Sequence, residues 1–190
     1  MSDYNAVADV GSSLIKLLWD SMGADDAFKK NTGLNSESQI VLSTPESLKD
    51  DQKLSIFLYQ IVEDTYQKNQ DRSWSGSDKL KAQSMPLSLF YLITPNTKDG
   101  LKDQILIGKV IQIFNDHHVL RSPFLKGSLV GEELDLIFNP LSIDDINKIW
   151  SVISKSNPYM FSIYYEVTRL RIDSTREEDV KRVTEVQRGD

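Results

Sequence analysis

At 190 residues, with 39% hydrophobic and 26% charged residues, the chain has the size and composition of one folded domain, which excludes disorder over most of its length. A net charge of −6 leaves no broad basic surface for a phosphate backbone, so protein partners are expected and nucleic acid is not. The absence of cysteine excludes disulfides, thiolate catalysis and thiolate metal sites.

The start, "MSDYNAVADV", is acidic and polar where a secretory signal would be basic and then apolar, so synthesis in the cytoplasm is expected. No stretch approaches the ~20 apolar residues of a spanning helix, so membrane insertion is not expected. A first helix capped by Asp3 carries Val7, Val10, Leu14, Leu17 and Leu18 at helical spacing, with Asp9, Ser13, Lys16 and Asp20 around the rest of the cylinder. Gly23 ends it, and "ADDAFKKNTGLNSES" reads as a polar connection to a short strand, Gln39 to Leu42, stopped by Pro45.

"KLSIFLYQIVED" places Leu54, Ile56 and Leu58 on one face and Phe57, Tyr59 and Ile61 on the other, the pattern of a strand covered on both sides. "MPLSLFYLITP" repeats it, with Leu87, Leu89, Tyr91 and Ile93 opposite Phe90 and Leu92, and two such strands imply three layers. Between them "EDTYQKNQDRSWSGSDKLKAQS" is too long and polar for a hairpin; it reads either as an excursion with one packed Trp or as a partner contact through Trp74.

A second helix from Asp99 to about His118 has its apolar face at Leu101, Ile105, Leu106, Val110, Ile113 and Phe114. "ELDLIF" is an alternating strand, Leu134, Leu136 and Phe138 against Asp135 and Ile137. "SIDDINKIW" opens a third helix, with Ser142 and Asp145 resembling a capping box and Ile146, Ile149, Trp150 and Ile153 in one stripe. After Asn157 and Pro158, "YMFSIYYEVTRLRID" is the longest strand, whose apolar set Tyr159, Phe161, Ile163, Tyr165 and Val167 changes parity to Leu170 and Ile172. A parity change marks a bulge or burial against another surface; the reading adopted is the second, a strand leaving its own sheet's cover.

Catalytic patterns are weakly supported. "DHH" at Asp116, His117 and His118 matches part of a metal-dependent phosphoesterase motif, but no companion acidic motif follows an early strand, and adjacent helical side chains diverge; helix-end residues favoured by the helix dipole are the simpler reading. Ser13 and Lys16 have the spacing of some acylating serine enzymes without the accompanying motifs, and fall on the polar side of the helix. "WSGSD" lacks the flanking glycines of a nucleophile elbow, and no glycine-rich strand-to-helix loop is present for phosphate. The closing "RGD" is too short a match to carry weight. No enzyme, metal or cofactor is expected.

After Ser174 the run "TREEDVKRVTEVQRGD" is charge-dense, as a solvated segment would be, yet Val180, Val183 and Val186 stand three apart and Val183, Thr184 and Val186 are β-branched. Helical and extended readings both fit. As a strand it is suited to adding to a neighbouring sheet's edge, weakly for one arm and strongly once repeated around a ring.

The fold class expected is α/β, mixed and α+β-like: a mostly antiparallel twisted sheet flanked by about three helices, one domain over 1–174 and an extended charged arm over 175–190. The succession "YNAVADVGSSLIKLLWD", "LSIFLYQIVED", "PLSLFYLITP", "IGKVIQIFNDHHVL", "LIFNPLSIDDINKIWSVI" and "YMFSIYYEVTRLRIDS", over about residues 4–174, resembles the cap, or tube-terminator, proteins of phage-tail-like contractile injection systems, relatives of phage tail terminators. The resemblance implies a homohexameric ring at the distal end of the inner tube, partnered by the inner-tube and sheath proteins, that ends tube growth and anchors the last sheath layer. It also implies a particle that is released or membrane-docked, and no catalytic residue. By analogy with sheath arms, Val180, Val183, Thr184, Val186 and Gln187 are the expected interface, pairing with sheath or the next subunit. The alternative is an adaptor or assembly-chaperone module of the same particle that forms no ring.

Overall fold

The computed structural model describes residues 2–65, 79–153 and 159–179. Among the described residues four α-helices, α1 (Ala6–Met22), α2 (Asp26–Thr32), α3 (Gly100–Asp116) and α4 (Ile143–Ile153), accompany eight strands: β1 (Ile40–Val41), β2 (Leu54–Glu63), β3 (Lys79–Lys81), β4 (Met85–Pro95), β5 (Val119–Leu120), β6 (Leu134–Phe138), β7 (Ile163–Ile172) and β8 (Glu177–Asp179). Six strands form one sheet in the order β1-β2-β4-β7-β6-β5, and β3 pairs with β8 in a separate ribbon. Among the described residues only β1 and β2 run parallel and the other pairs are antiparallel, as expected of a mixed, mostly antiparallel sheet.

Alternation along the central strands creates two apolar layers, because successive side chains point to opposite faces. On one face Leu54 and Ile56 of β2, Leu89, Tyr91 and Ile93 of β4, and Ile163, Tyr165 and Val167 of β7 pack with Val10, Leu14, Leu17 and Leu18 of α1 and Leu106, Val110, Ile113 and Phe114 of α3. On the other, Leu92 and Tyr164 bury Trp150, with Ile146, Ile149 and Ile153 of α4 beside them. The Trp150 indole satisfies its N–H by donating to the Tyr164 hydroxyl at 3.2 Å. The three layers and the α4 stripe therefore follow the periodicity.

Several local expectations are corrected. The segment after Gly23 is not merely a connection: α2 is capped by the Asp25 carboxylate, which accepts from Phe28 N at 2.9 Å, and ended by Gly33 in the left-handed region, a helix beyond those expected. Asp3 does not cap α1; its carboxylate accepts from Asn5 N at 2.8 Å in a turn before the helix. Leu101 and Ile105 of α3 are exposed while Ile107 is buried, so the apolar stripe is rotated slightly from the expected one.

The change of parity in β7 is a bulge. Leu89 stands opposite Val167 but Leu87 stands opposite Leu170, so Thr168 and Arg169 together face Ser88, and Arg169 adopts φ +65°. Val167 and Leu170 consequently point into the same core rather than to different surfaces. A second bulge between Leu58 and Gln60 places Ile61 opposite Leu89, on the reverse face from Phe57, and leaves Ile61 48% exposed, so β2 is covered on both sides only in its first half.

Part of the polar side of α1 is anchored to another segment. Ser13 is buried; its hydroxyl donates to Asp9 O and accepts from Lys126 N at 2.9 Å. The Asp9 carboxylate accepts from both Ser128 N and Ser128 Oγ at 2.8 Å, and the Lys16 ammonium donates to Pro123 O. Together these residues latch the β5–β6 connection onto α1, which gives Ser13 and Lys16 a structural task. A Cβ at Gly127 would collide with the Asp9 carboxylate, at a φ of +57°. Gly127→Ala is therefore expected to lower the unfolding free energy by about 1–2 kcal/mol, seen as a lower denaturant midpoint with unchanged slope.

Candidate assembly site

His117 closes α3 and stacks edge-on against Phe124 at 4.9 Å, and His118 Nδ1 lies 3.3 Å from Asn115 O. Among the described residues no three or more His, Cys, Asp or Glu side chains converge in a way that would hold a metal ion, and no helix is long and apolar enough to cross a membrane. Trp74, Val180, Val183, Thr184, Val186 and Gln187 lie outside the described residues. The described start of the arm, β8, pairs with its own chain: Glu177 opposes Lys81, Glu178 opposes Leu80 and Asp179 opposes Lys79, an acidic strand against a basic one. Arg176 O extends the ribbon by accepting from Ala82 N at 3.0 Å.

The features best suited to association are the two sheet edges, which sequence reasoning did not identify. β1 covers β2 only at Leu54 and Ser55. It then turns away: Ser55 Oγ donates to Ser43 O at 2.5 Å, and Leu42 packs against Gly11 of α1, where a Cβ would clash with its methyl groups. Among the described residues no strand pairs with the outer edge of β2 from Ile56 to Val62. Beside this edge lies an apolar groove of about 410 Å³, with Tyr4, Val7 and Gly11 on the α1 side and Leu42, Phe57 and Leu58 on the strand side.

The opposite edge repeats the arrangement. β5 pairs with β6 only at Leu134 and Asp135, and His118 O accepts from Leu136 N at 2.7 Å. Ile137 and Phe138 follow half-exposed, beside a smaller groove of about 220 Å³ lined by Ile111, Phe114, His118 and Tyr165 among others. Around β6, Asp135 receives Arg169 Nε at 2.7 Å and Glu133 receives Arg121 Nε at 2.8 Å. Main chain that no strand pairs with among the described residues presents free N–H and C=O groups to which an extended segment can add.

Burial pushes the phenols of Tyr165, beside the smaller groove, and Tyr59, on β2, up to about 12, and charge on Tyr164 and Glu166 adds to the shift at Tyr59. An unfolded tyrosine ionises near about 10, so these raised groups contribute stability that is complete below pH ~10 and lost as pH rises through ~12. A spectroscopic titration of the native protein should show phenolate appearing later than in denaturant. Superimposable curves would refute the packing described for these rings.

The model of the Pvc16 N-terminal domain matches residues 9–185. The chain belongs to the Pvc16 N-terminal domain family. The fold of this Pvc16 N-terminal domain is shared with the PVC sheath/tube terminator of an extracellular contractile injection system, seen by cryo-EM in the extended state, at a TM-score of 0.67 and 17% identity. That match covers 96% of this chain and 62% of the other. The tube-terminating cap of the anti-feeding prophage matches at a TM-score of 0.58 and 17% identity, over 87% of this chain and 60% of that one. The chain thus spans about three fifths of the length of each of these structures. No curated protein matches the chain.

Proposed function

We propose that the chain is a structural cap: a hexameric ring on the distal end of the inner tube of a contractile injection system, ending tube growth and holding the last sheath layer. The observation that carries this reading is the fold shared along nearly the whole chain with a sheath/tube terminator and a tube-terminating cap. The open edges of β2 and β6 at opposite ends of one sheet support it further. A contact between two different surfaces is heterologous, and heterologous contacts close into rings when the rotation per subunit divides the circle.

The test is the native mass of the purified chain at several concentrations, alone and with inner-tube protein. Six times the monomer mass, or a ring that appears only on tube protein, is the expected result. A monomer that never associates with tube or sheath would replace the cap by a transient adaptor or assembly chaperone.

The arm is part of the proposal. Removal of Val180–Asp190 keeps β8 and its pairing with β3, so the domain is expected to retain its melting temperature while truncated particles lose sheath. Sheath retention equal to that of the full chain would remove the arm from the reading.

A further inference from the structure

We propose that the outer edge of β2 and the groove beside it receive, as an added strand, the segment Val180–Asp190 of a neighbouring copy. This rests on the ring reading and assigns it a joint.

The acceptor is built for an extended segment. From Ile56 to Val62 the outer main chain of β2 has no strand partner among the described residues, a span of about 20 Å at strand spacing. The groove beside Ile56 to Leu58 offers an apolar seat under Tyr4, which is 85% exposed at its rim. Main-chain hydrogen bonds would give affinity, and side chains entering the groove would give register.

The donor fits in length, pattern and charge. Val180 to Asp190 reaches about 36 Å when extended, enough to span a gap between copies and still lay several residues along the edge. As a strand it presents Thr184 and Val186 on one side, small and β-branched enough for the groove, with Val183, Glu185 and Gln187 on the other. The segment carries three basic residues, Lys181, Arg182 and Arg188, against two acidic ones, in a chain of net charge −6, so it is drawn toward another copy's surface.

β8 is held in a ribbon with β3, outside the six-stranded sheet, so the segment after Asp179 starts from a strand that is not part of that sheet.

With no natural cysteine, single introduced cysteines report contacts without background. Full-length Ile61→Cys, half-exposed on the groove face of β2, is mixed with full-length Val186→Cys and treated with a short bis-maleimide. Val152→Cys, exposed on α4, serves as the control partner. A 61–186 cross-link between copies, about tenfold above the 152–186 control, is expected. Its absence, a yield equal to the control, or a 61–186 link found only within one chain when both cysteines are placed together, would overturn the proposal. If sheath protein is present and captures Val186→Cys in place of a second copy, the proposal also fails. Native mass measured on the same samples separates the two readings. A ring without the link removes the joint and keeps the cap; a link between copies without a ring keeps the joint and removes the cap.

Discussion

Phe114→Ala is expected to lower the unfolding free energy by about 3–5 kcal/mol, a large part of the 5–15 kcal/mol typical of a domain. Phe114 is 1% exposed, sits where α3 meets β7, and meets the Tyr165 ring edge-on at 4.8 Å. Truncation removes its apolar burial, opens a cavity and breaks the ring pair, and the surrounding strands restrict relaxation into the gap. Phe114→Leu keeps most of the volume and should cost about 1–2 kcal/mol. Denaturant unfolding measures both; a loss below about 1 kcal/mol for the alanine variant would show that α3 does not pack on β7 as described. Because Phe114 also lines the smaller groove, the alanine variant should weaken any association through the β6 edge even where it remains folded.

The second large effect is expected at the β7 bulge. Arg169 has φ +65°, a conformation that costs a non-glycine residue about 1–3 kcal/mol, and its guanidinium pairs with Asp135 at 2.7 Å. Arg169→Ile puts a β-branched side chain in that backbone and removes the half-exposed ion pair, for a total loss of about 2–3 kcal/mol. Arg169→Gly loses the pair but relaxes the backbone, so its stability should stay within about 1 kcal/mol of the parent. Equal losses for the two variants would assign the effect to the ion pair alone. A measured split would identify backbone conformation as the reason Val167 and Leu170 share one core.

Much of the architecture was legible because it depends on local period. β2 carries apolar residues on both faces in its first half and β4 in its second, and α1 and α4 show their stripes directly, so three layers follow from pattern alone. What escaped depends on distance or on a single backbone angle. α2 is only seven residues long and anchored by Phe28, too little for periodicity, although Asp25 and Gly33 mark its ends. An arginine at positive φ carries no mark in the sequence, so the β7 bulge looked like a change of surface. Nothing local marks Asp9, Ser13 and Lys16 as anchored, because their partners, Ser128, Lys126 and Pro123, lie more than a hundred residues away. The candidate site divides in the same way: the arm is a proposal drawn from the β-branched residues after Asp179, whereas the edge of β2 left open among the described residues is a property of how strands pair and is invisible before the sheet is assembled.

The strand order also bears on how the protein is made. β7 lies between β4 and β6 although both are synthesised before it. During translation, at about 5–20 residues per second, the ribosome takes about 3–13 seconds to pass from the end of β4 to the start of β7. Through that interval β4 has one flank without its native neighbour, and an interrupted product lacking Ile163–Ile172 has no means of joining β6 to the rest of the sheet. Folding is thereby deferred until nearly all of the domain has left the ribosome. Fragments are left as substrates for chaperones and proteases, and the pool of copies competent to assemble is restricted to those translated through β7.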